Sequence, residues 1–138
     1  MNIENFDLDF FHTELKSCLT SLEFENAKGE ISMGLDNYLA RLRDIGMANK
    51  GNVLDAGSGL CLWSIALARL NKKVMALDMM TDRLFFGKML SSKMKINNIN
   101  FSRGSIENIN FDDNSFDAII CYSVIMFTDV KKSLEEFH

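Results

Sequence analysis

After Lys50-Gly51-Asn52 the chain alternates short apolar runs with longer stretches of helical period, and that alternation restricts its fold more than any other feature. Val53-Leu54-Asp55-Ala56 reads as a strand running into Gly57-Ser58-Gly59, and Leu60–Leu70 as a helix apolar nearly all round. Lys73–Asp78 is a second strand, after which Thr81 or Asp82 caps a helix through about Lys95, with Leu84, Phe85, Met89, Leu90 and Met94 inward. Asn97–Arg103 gives a third strand. The turn-rich Phe111–Phe116 leads into a fourth, Asp117–Tyr122, and Asp129 caps a helix carrying Val130, Leu134 and Phe137. Strands alternating with helices predict an α/β fold: a mainly parallel sheet of about four strands with right-handed crossovers and helices on both faces. The first, second and fourth strands are nearly unbroken apolar runs, as strands covered on both faces should be.

Ahead of this core, residues 9–25 repeat Phe11, Leu15, Cys18, Leu19 and Leu22 every three or four positions, the period of a helix. Asn26–Glu30 contains Gly29 and reads as a turn. From Gly34 to Gly46, Leu35, Tyr38, Leu39, Leu42 and Ile45 share one stripe that Gly46 ends. No repeat or linker marks a second domain, so residues 1–138 read as a single one: a helical cover over 1–33 and the α/β core over 34–138. A length of 138 residues and 47% hydrophobic content suit that reading.

Several function classes drop out. A net charge of −4 argues against a nucleic-acid footprint, and the basic residues of the middle third are scattered over helix faces. No apolar run reaches the ~18–20 residues of a membrane span, and the acidic Met1–Phe10 is unlike a secretory leader. Cys18, Cys61 and Cys121, odd in number and far apart, read as reduced thiols of a cytoplasmic protein. Without a C-x-x-C or His–Cys cluster, no metal site is expected. Trp63 and the nine methionines read as core.

In an open parallel sheet, ligands bind beyond the carboxyl ends of the strands. Asp55-Ala56-Gly57-Ser58-Gly59 stands at such an end, where Gly57 allows a sharp turn and Gly59 removes a Cβ from the ligand's path. The next helix aims free N–H groups at the same place. Asp78 closes the second strand 23 positions after Asp55, near the ~20-residue offset at which a carboxylate accepts from an adenosine ribose. Leu62 breaks the G-x-G-x-x-G of a dinucleotide site, and Asp55 would face a pyrophosphate, which disfavours a nicotinamide-dependent oxidoreductase. A phosphate-binding G-K-[ST] is missing. A cofactor lacking phosphates and carrying a cationic end suits Asp55 better, and S-adenosylmethionine has both properties.

Val53–Gly59 resembles the acid-x-G-x-G signature of class I S-adenosylmethionine-dependent methyltransferases, and Met75–Met79 is similar to the end of that family's second strand. Gly104–Asp117 resembles a stretch common in its small-molecule branch, and Cys121–Val124 sits where its fourth strand opens toward the methyl group. The resemblance runs from about Leu35 to the C-terminus. It implies a Rossmann-like fold, S-adenosyl-L-methionine as cofactor and a small-molecule methyl acceptor. It also implies site roles: Asp55, Ala56, Gly57 and Gly59 around the methionine part, Asp78 on the ribose, Met79, Ser105 and Ile106 on the adenine, and Tyr122 as a wall. No catalytic side chain is named, although His12 lies on a helix that in this family often closes over the cofactor. Cys61 stands where a third glycine is usual, which would put a side chain beside the methionine end. Ser105 replaces the more usual aspartate. Such domains normally have seven strands, whereas this chain offers four. Either the chain is a fragment whose C-terminal part is missing, or another chain completes it, and the bare edge of the fourth strand is a place for self-association or a partner. The alternative to an enzyme is a non-catalytic S-adenosylmethionine-binding or interaction module without a substrate half.

Overall fold

In the computed structural model, which describes residues 6, 8–16 and 19–138, a four-stranded sheet organises the chain. Its strands are β1 (Asn52–Ala56), β2 (Lys73–Asp78), β3 (Ile99–Arg103) and β4 (Ala118–Ile120), in the order β3-β2-β1-β4 and all parallel. The order reverses between β1 and β4, so the carboxyl end of β1 is the switch point at which a parallel sheet opens a crevice.

Among the described residues six helices accompany the strands: α1 (Leu8–Leu15), α2 (Ser21–Ser32), α3 (Gly34–Asp44), α4 (Leu62–Leu70), α5 (Thr81–Lys93) and α6 (Val130–Phe137). Side chains of α1–α5 join Val53, Val74, Ala76 and Ile99 in one continuous core. The opposite face of the sheet buries Leu54, Ala56 and Leu77 with Ile106, and Phe137 of α6 packs there. Helices therefore stand on both faces, as the alternation predicts, but five of the six share one of them.

Local chemistry moved several boundaries. The single helix expected over 9–25 is two, because Thr20 opens α2 with a capping box: Glu23 N–H donates to Thr20 Oγ1, and Glu23 accepts from Thr20 N–H. Cys18 lies outside the described residues. The turn expected at Asn26–Glu30 is helix instead, running through Gly29. The restart at Thr20 also resets the inward face, so Ala27 and Ile31 are buried while Leu22, expected inward, is 73% exposed. At the end of α3, Gly46 takes φ +74° and Met47 N–H returns to Leu42 O (2.8 Å), a Schellman ending. Met47 then enters the core and Ile45 faces outward, against expectation.

Further on, α4 starts at Leu62 rather than Leu60, after a left-handed Cys61. Met80 rather than Thr81 or Asp82 precedes α5 as its N-cap, without a side-chain bond, and Phe86 is buried in place of Phe85. Asp129 does cap α6, accepting from Lys132 N–H at 3.2 Å, yet Val130 and Leu134 are exposed. β4 is shorter than expected and only half-buried, and a 3-10 turn at Ile125–Phe127 follows it.

Candidate functional site

The carboxyl ends of β1 and β2 meet in one polar knot. Gly57 turns the chain at φ +79° and Gly59 at φ +52°. The N–H groups of Gly57 and Ser58 both donate to Leu77 O (2.8 and 2.9 Å), which ties the turn to β2. Asp78 closes the knot: its Oδ2 accepts from Gly59 N–H and its Oδ1 from Met80 N–H, each at 2.8 Å. Asp78 is 7% exposed. Its register partner Arg103 donates to Met79 O (3.2 Å) instead of to the carboxylate. Two backbone donors occupy about half of the roughly four acceptor sites of an ionised carboxylate, which leaves room for a pair of hydroxyls.

The two glycines differ in what surrounds them. A Cβ on Gly57 would lie 2.7 Å from Val124, so the turn is backed tightly by the segment after β4. A Cβ on Gly59 would meet nothing within 4 Å and would project into open space, the cradle that a ligand against the backbone requires.

Asp55 lies beneath this turn, 1% exposed, with Ser64 of α4 donating to its Oδ2 at 2.5 Å. Burial pushes its carboxyl up to about 7, while the Ser64 hydroxyl pulls it down and the Asp78 charge pushes it further up. Ala56 is fully buried in β1. Cys61, expected beside the methionine end, points elsewhere. Its side chain is fully buried, its sulfur lies 3.5 Å from Ser58 Oγ, and a Cβ on Gly87 of α5 would run into it. The left-handed φ of +62° explains why glycine suits this position, and the missing Cβ at Gly87 is what accommodates the sulfur. Burial pushes the Cys61 thiol up to about 12, so it is no nucleophile.

A cleft of about 290 Å³ opens over the turn, lined by Gly57, Ser58 and Gly59 on its floor. Trp63, Tyr122, Val124 and Phe127 line it together with Glu23, Asn26, Ala27, Glu30 and Arg83. The structure thus brings Gly57, Gly59 and Tyr122 into one cleft, with Asp78 bonded to its floor. Met79 is exposed just beyond. Ser105 is half-buried on the loop after β3, its hydroxyl accepting from Glu107 N–H at 3.1 Å, and Ile106 is buried against the β1–β2 face. His12 is exposed, its ring 5.7 Å from that of Phe24.

Sequence reasoning missed Ser64, whose signal is a lone hydroxyl in the apolar run Leu62–Leu70. It also placed Trp63 in the core, whereas Trp63 is half-buried and lines the cleft. Among the described residues no group of three His, Cys, Asp or Glu could hold a metal ion, and no helix is long and apolar enough to cross a membrane.

Comparison with known proteins agrees with this fold. The chain is similar in fold to the YcgJ protein of Bacillus subtilis (TM-score 0.67, 24% identity), covering 73% of this chain and 44% of that one. A SAM-dependent methyltransferase from Aquifex aeolicus gives a TM-score of 0.65 at 22% identity, over 72% and 55% of the two chains. Phosphoethanolamine N-methyltransferase 1 of Haemonchus contortus, in complex with phosphoethanolamine and S-adenosylhomocysteine, gives 0.58 at 20% identity, over 64% and 18%. The chain therefore spans about half the length of the first two. No curated protein matches it. The model of the methyltransferase domain matches residues 53–138, more than half of the sequence, and the chain belongs to that family.

Proposed function

We propose that this chain binds S-adenosyl-L-methionine in the cleft over the glycine turn and serves methyl transfer to a small-molecule acceptor. The observation that carries the reading is the bond between Gly59 N–H and Asp78 Oδ2, which puts an open glycine backbone and a carboxylate with spare acceptor sites at one point. Asp78 would take the ribose hydroxyls, and charge-assisted bonds of this kind are about twice as strong as neutral ones. Gly57 and Gly59 would lie along the methionine part. Asp55, with Ala56 beside it in β1, would lie below the methionine part, holding the turn to α4 through Ser64, and a cation bound above the turn would favour its ionised form. Met79, Ser105 and Ile106 would flank the adenine, and Tyr122 would wall the cleft.

The bound cofactor supplies an electrophilic methyl carbon on a positively charged sulfur. The protein's part is then orientation and exclusion of water, since holding a nucleophile about 3 Å from its target can supply on the order of 7–11 kcal/mol. No acid or base on this chain is required for that. The free thiols Cys61 and Cys121 suit a reducing compartment such as the cytoplasm.

A second reading, binding without transfer, draws support from β4: three residues pair only with β1, and among the described residues its other edge is open for a partner or a second copy. Calorimetric titration with S-adenosylmethionine, S-adenosylhomocysteine and NAD tests the site, with micromolar binding expected for the first two and none for NAD. Binding of NAD alone would replace the reading. A methyl-acceptance screen over small metabolites separates enzyme from module.

A further inference from the structure

The cleft also carries a row of rings and an acidic side chain whose chemistry the nucleoside reading leaves largely unused. Three aromatic rings run outward from the core in contact. Tyr38 is buried and its hydroxyl donates to Glu30 O at 3.0 Å. Its ring meets Trp63 at 4.6 Å, and Trp63 meets the half-exposed Tyr122 at 4.9 Å and an angle of 52°. Phe127, 82% exposed, lines the same cleft.

Glu23, Glu30 and Arg83 line the same cleft, and the Tyr38 hydroxyl ties the Glu30 backbone to the row of rings. Glu23 is spoken for: it accepts from Thr20 and pairs with Arg83 at 3.2 Å. Glu30 has no ion-pair or side-chain hydrogen-bond partner among the described residues. Desolvation raises its carboxyl above the ordinary carboxylate range, with only the more distant Arg83 charge opposing. With Glu23 and Arg83 cancelling, the cleft carries a net charge of −1 from Glu30, together with exposed ring surface.

Aromatic faces beside an uncompensated carboxylate attract organic cations: the ring quadrupole draws the cation and the carboxylate adds a counter-charge. They discriminate against anions for the same reason. We infer that this wall is a subsite for an ammonium group of the methyl acceptor, held against Trp63 and Tyr122 with Glu30 as counter-charge. The assignment to the acceptor rests on the reading that the turn over Gly59 and Asp78 holds the nucleoside. Glu30 supplies charge for recognition and takes no proton in the transfer. The rival source of the same chemistry is the cofactor's own α-ammonium.

Trp63 is the single tryptophan of the chain, so its fluorescence reports directly on the wall. Titrations with choline chloride and with its neutral carbon isostere 3,3-dimethyl-1-butanol, at constant ionic strength, with and without saturating S-adenosylhomocysteine, test the subsite. Choline should bind about tenfold more tightly than the isostere, and should keep doing so with S-adenosylhomocysteine present. Glu30→Gln should remove that preference while leaving the affinities for the isostere and for S-adenosylhomocysteine unchanged. Equal binding of choline and the isostere overturns the subsite, as does a preference untouched by Glu30→Gln. Competition between choline and S-adenosylhomocysteine overturns its assignment to the acceptor. A choline preference in a chain that binds no S-adenosylhomocysteine upholds the ammonium subsite and sinks the nucleoside reading instead.

Discussion

On one face of the sheet, Val53, Val74, Ala76 and Ile99 lie under five helices in a core that includes Leu35, Leu39, Leu42, Ile65 and Leu90, nearly all inaccessible to water. On the other face, among the described residues, the buried hydrophobic cluster is Leu54, Ala56, Leu77 and Ile106, and Met75, Phe116 and Ile119 remain partly open. The candidate site straddles the two. Asp55, Ser64 and Cys61 belong to the packed face, and Val124, which backs Gly57, belongs to the thin one. The contrast separates two jobs: the packed face fixes where β1 ends and α4 begins, and the thin face supports the turn between them.

Substitutions can break that contrast. Ile65→Ala, fully buried in α4, should cost about 2–5 kcal/mol in denaturant unfolding, because the cavity cannot collapse. Ile119→Ala, half-buried on the thin face, should cost about 1 kcal/mol, and equal losses would show the faces to be energetically alike.

Asp55→Asn sharpens the electrostatic side. A buried carboxyl held at about 7 keeps its proton in the folded state while the unfolded chain gives it up near the ordinary value. The native protein therefore loses stability as pH rises from about 4 to 7, at up to ~1.4 kcal/mol per unit, and levels off above. Asparagine can still accept from Ser64 and escapes that loss. The variant should match the parent below pH 4 and exceed it by on the order of 4 kcal/mol at pH 8. A stability difference independent of pH would place the Asp55 charge elsewhere.

The same contrast separates the two glycines. Gly57→Ala meets both a left-handed φ and Val124, and should destabilise by about 2–3 kcal/mol. Gly59→Ala meets only the φ, costing about 1 kcal/mol, but its methyl fills the ligand cradle. Little loss of melting temperature with complete loss of S-adenosylhomocysteine binding is the expected signature.

Much of this was legible in the chain. β1 and β2 announce themselves as apolar runs ending in acid, and their parallel pairing makes the Asp55–Gly59 turn and Asp78 neighbours once the sheet order is granted. Helix rotation was less legible, because periodicity alone cannot choose between adjacent apolar residues. Phe85 and Phe86 look alike in sequence, and the choice is made by Gly87, which must face Cys61 and so turns Phe86 inward. The cleft's charged lining was illegible for a related reason. Glu23 and Glu30 are ordinary surface charges until Thr20 restarts α2 and brings them to the cleft, where Glu23 pairs with Arg83 of α5.

The central claim is that Asp78 holds a nucleoside together with the Gly59 backbone. Calorimetric titration of S-adenosylhomocysteine into the parent chain and Asp78→Ala tests it, with a thermal melt of each to confirm folding. Micromolar binding that weakens by at least about thirtyfold (about 2 kcal/mol) in the variant is the predicted result. A folded Asp78→Ala protein that binds as tightly as the parent would contradict it.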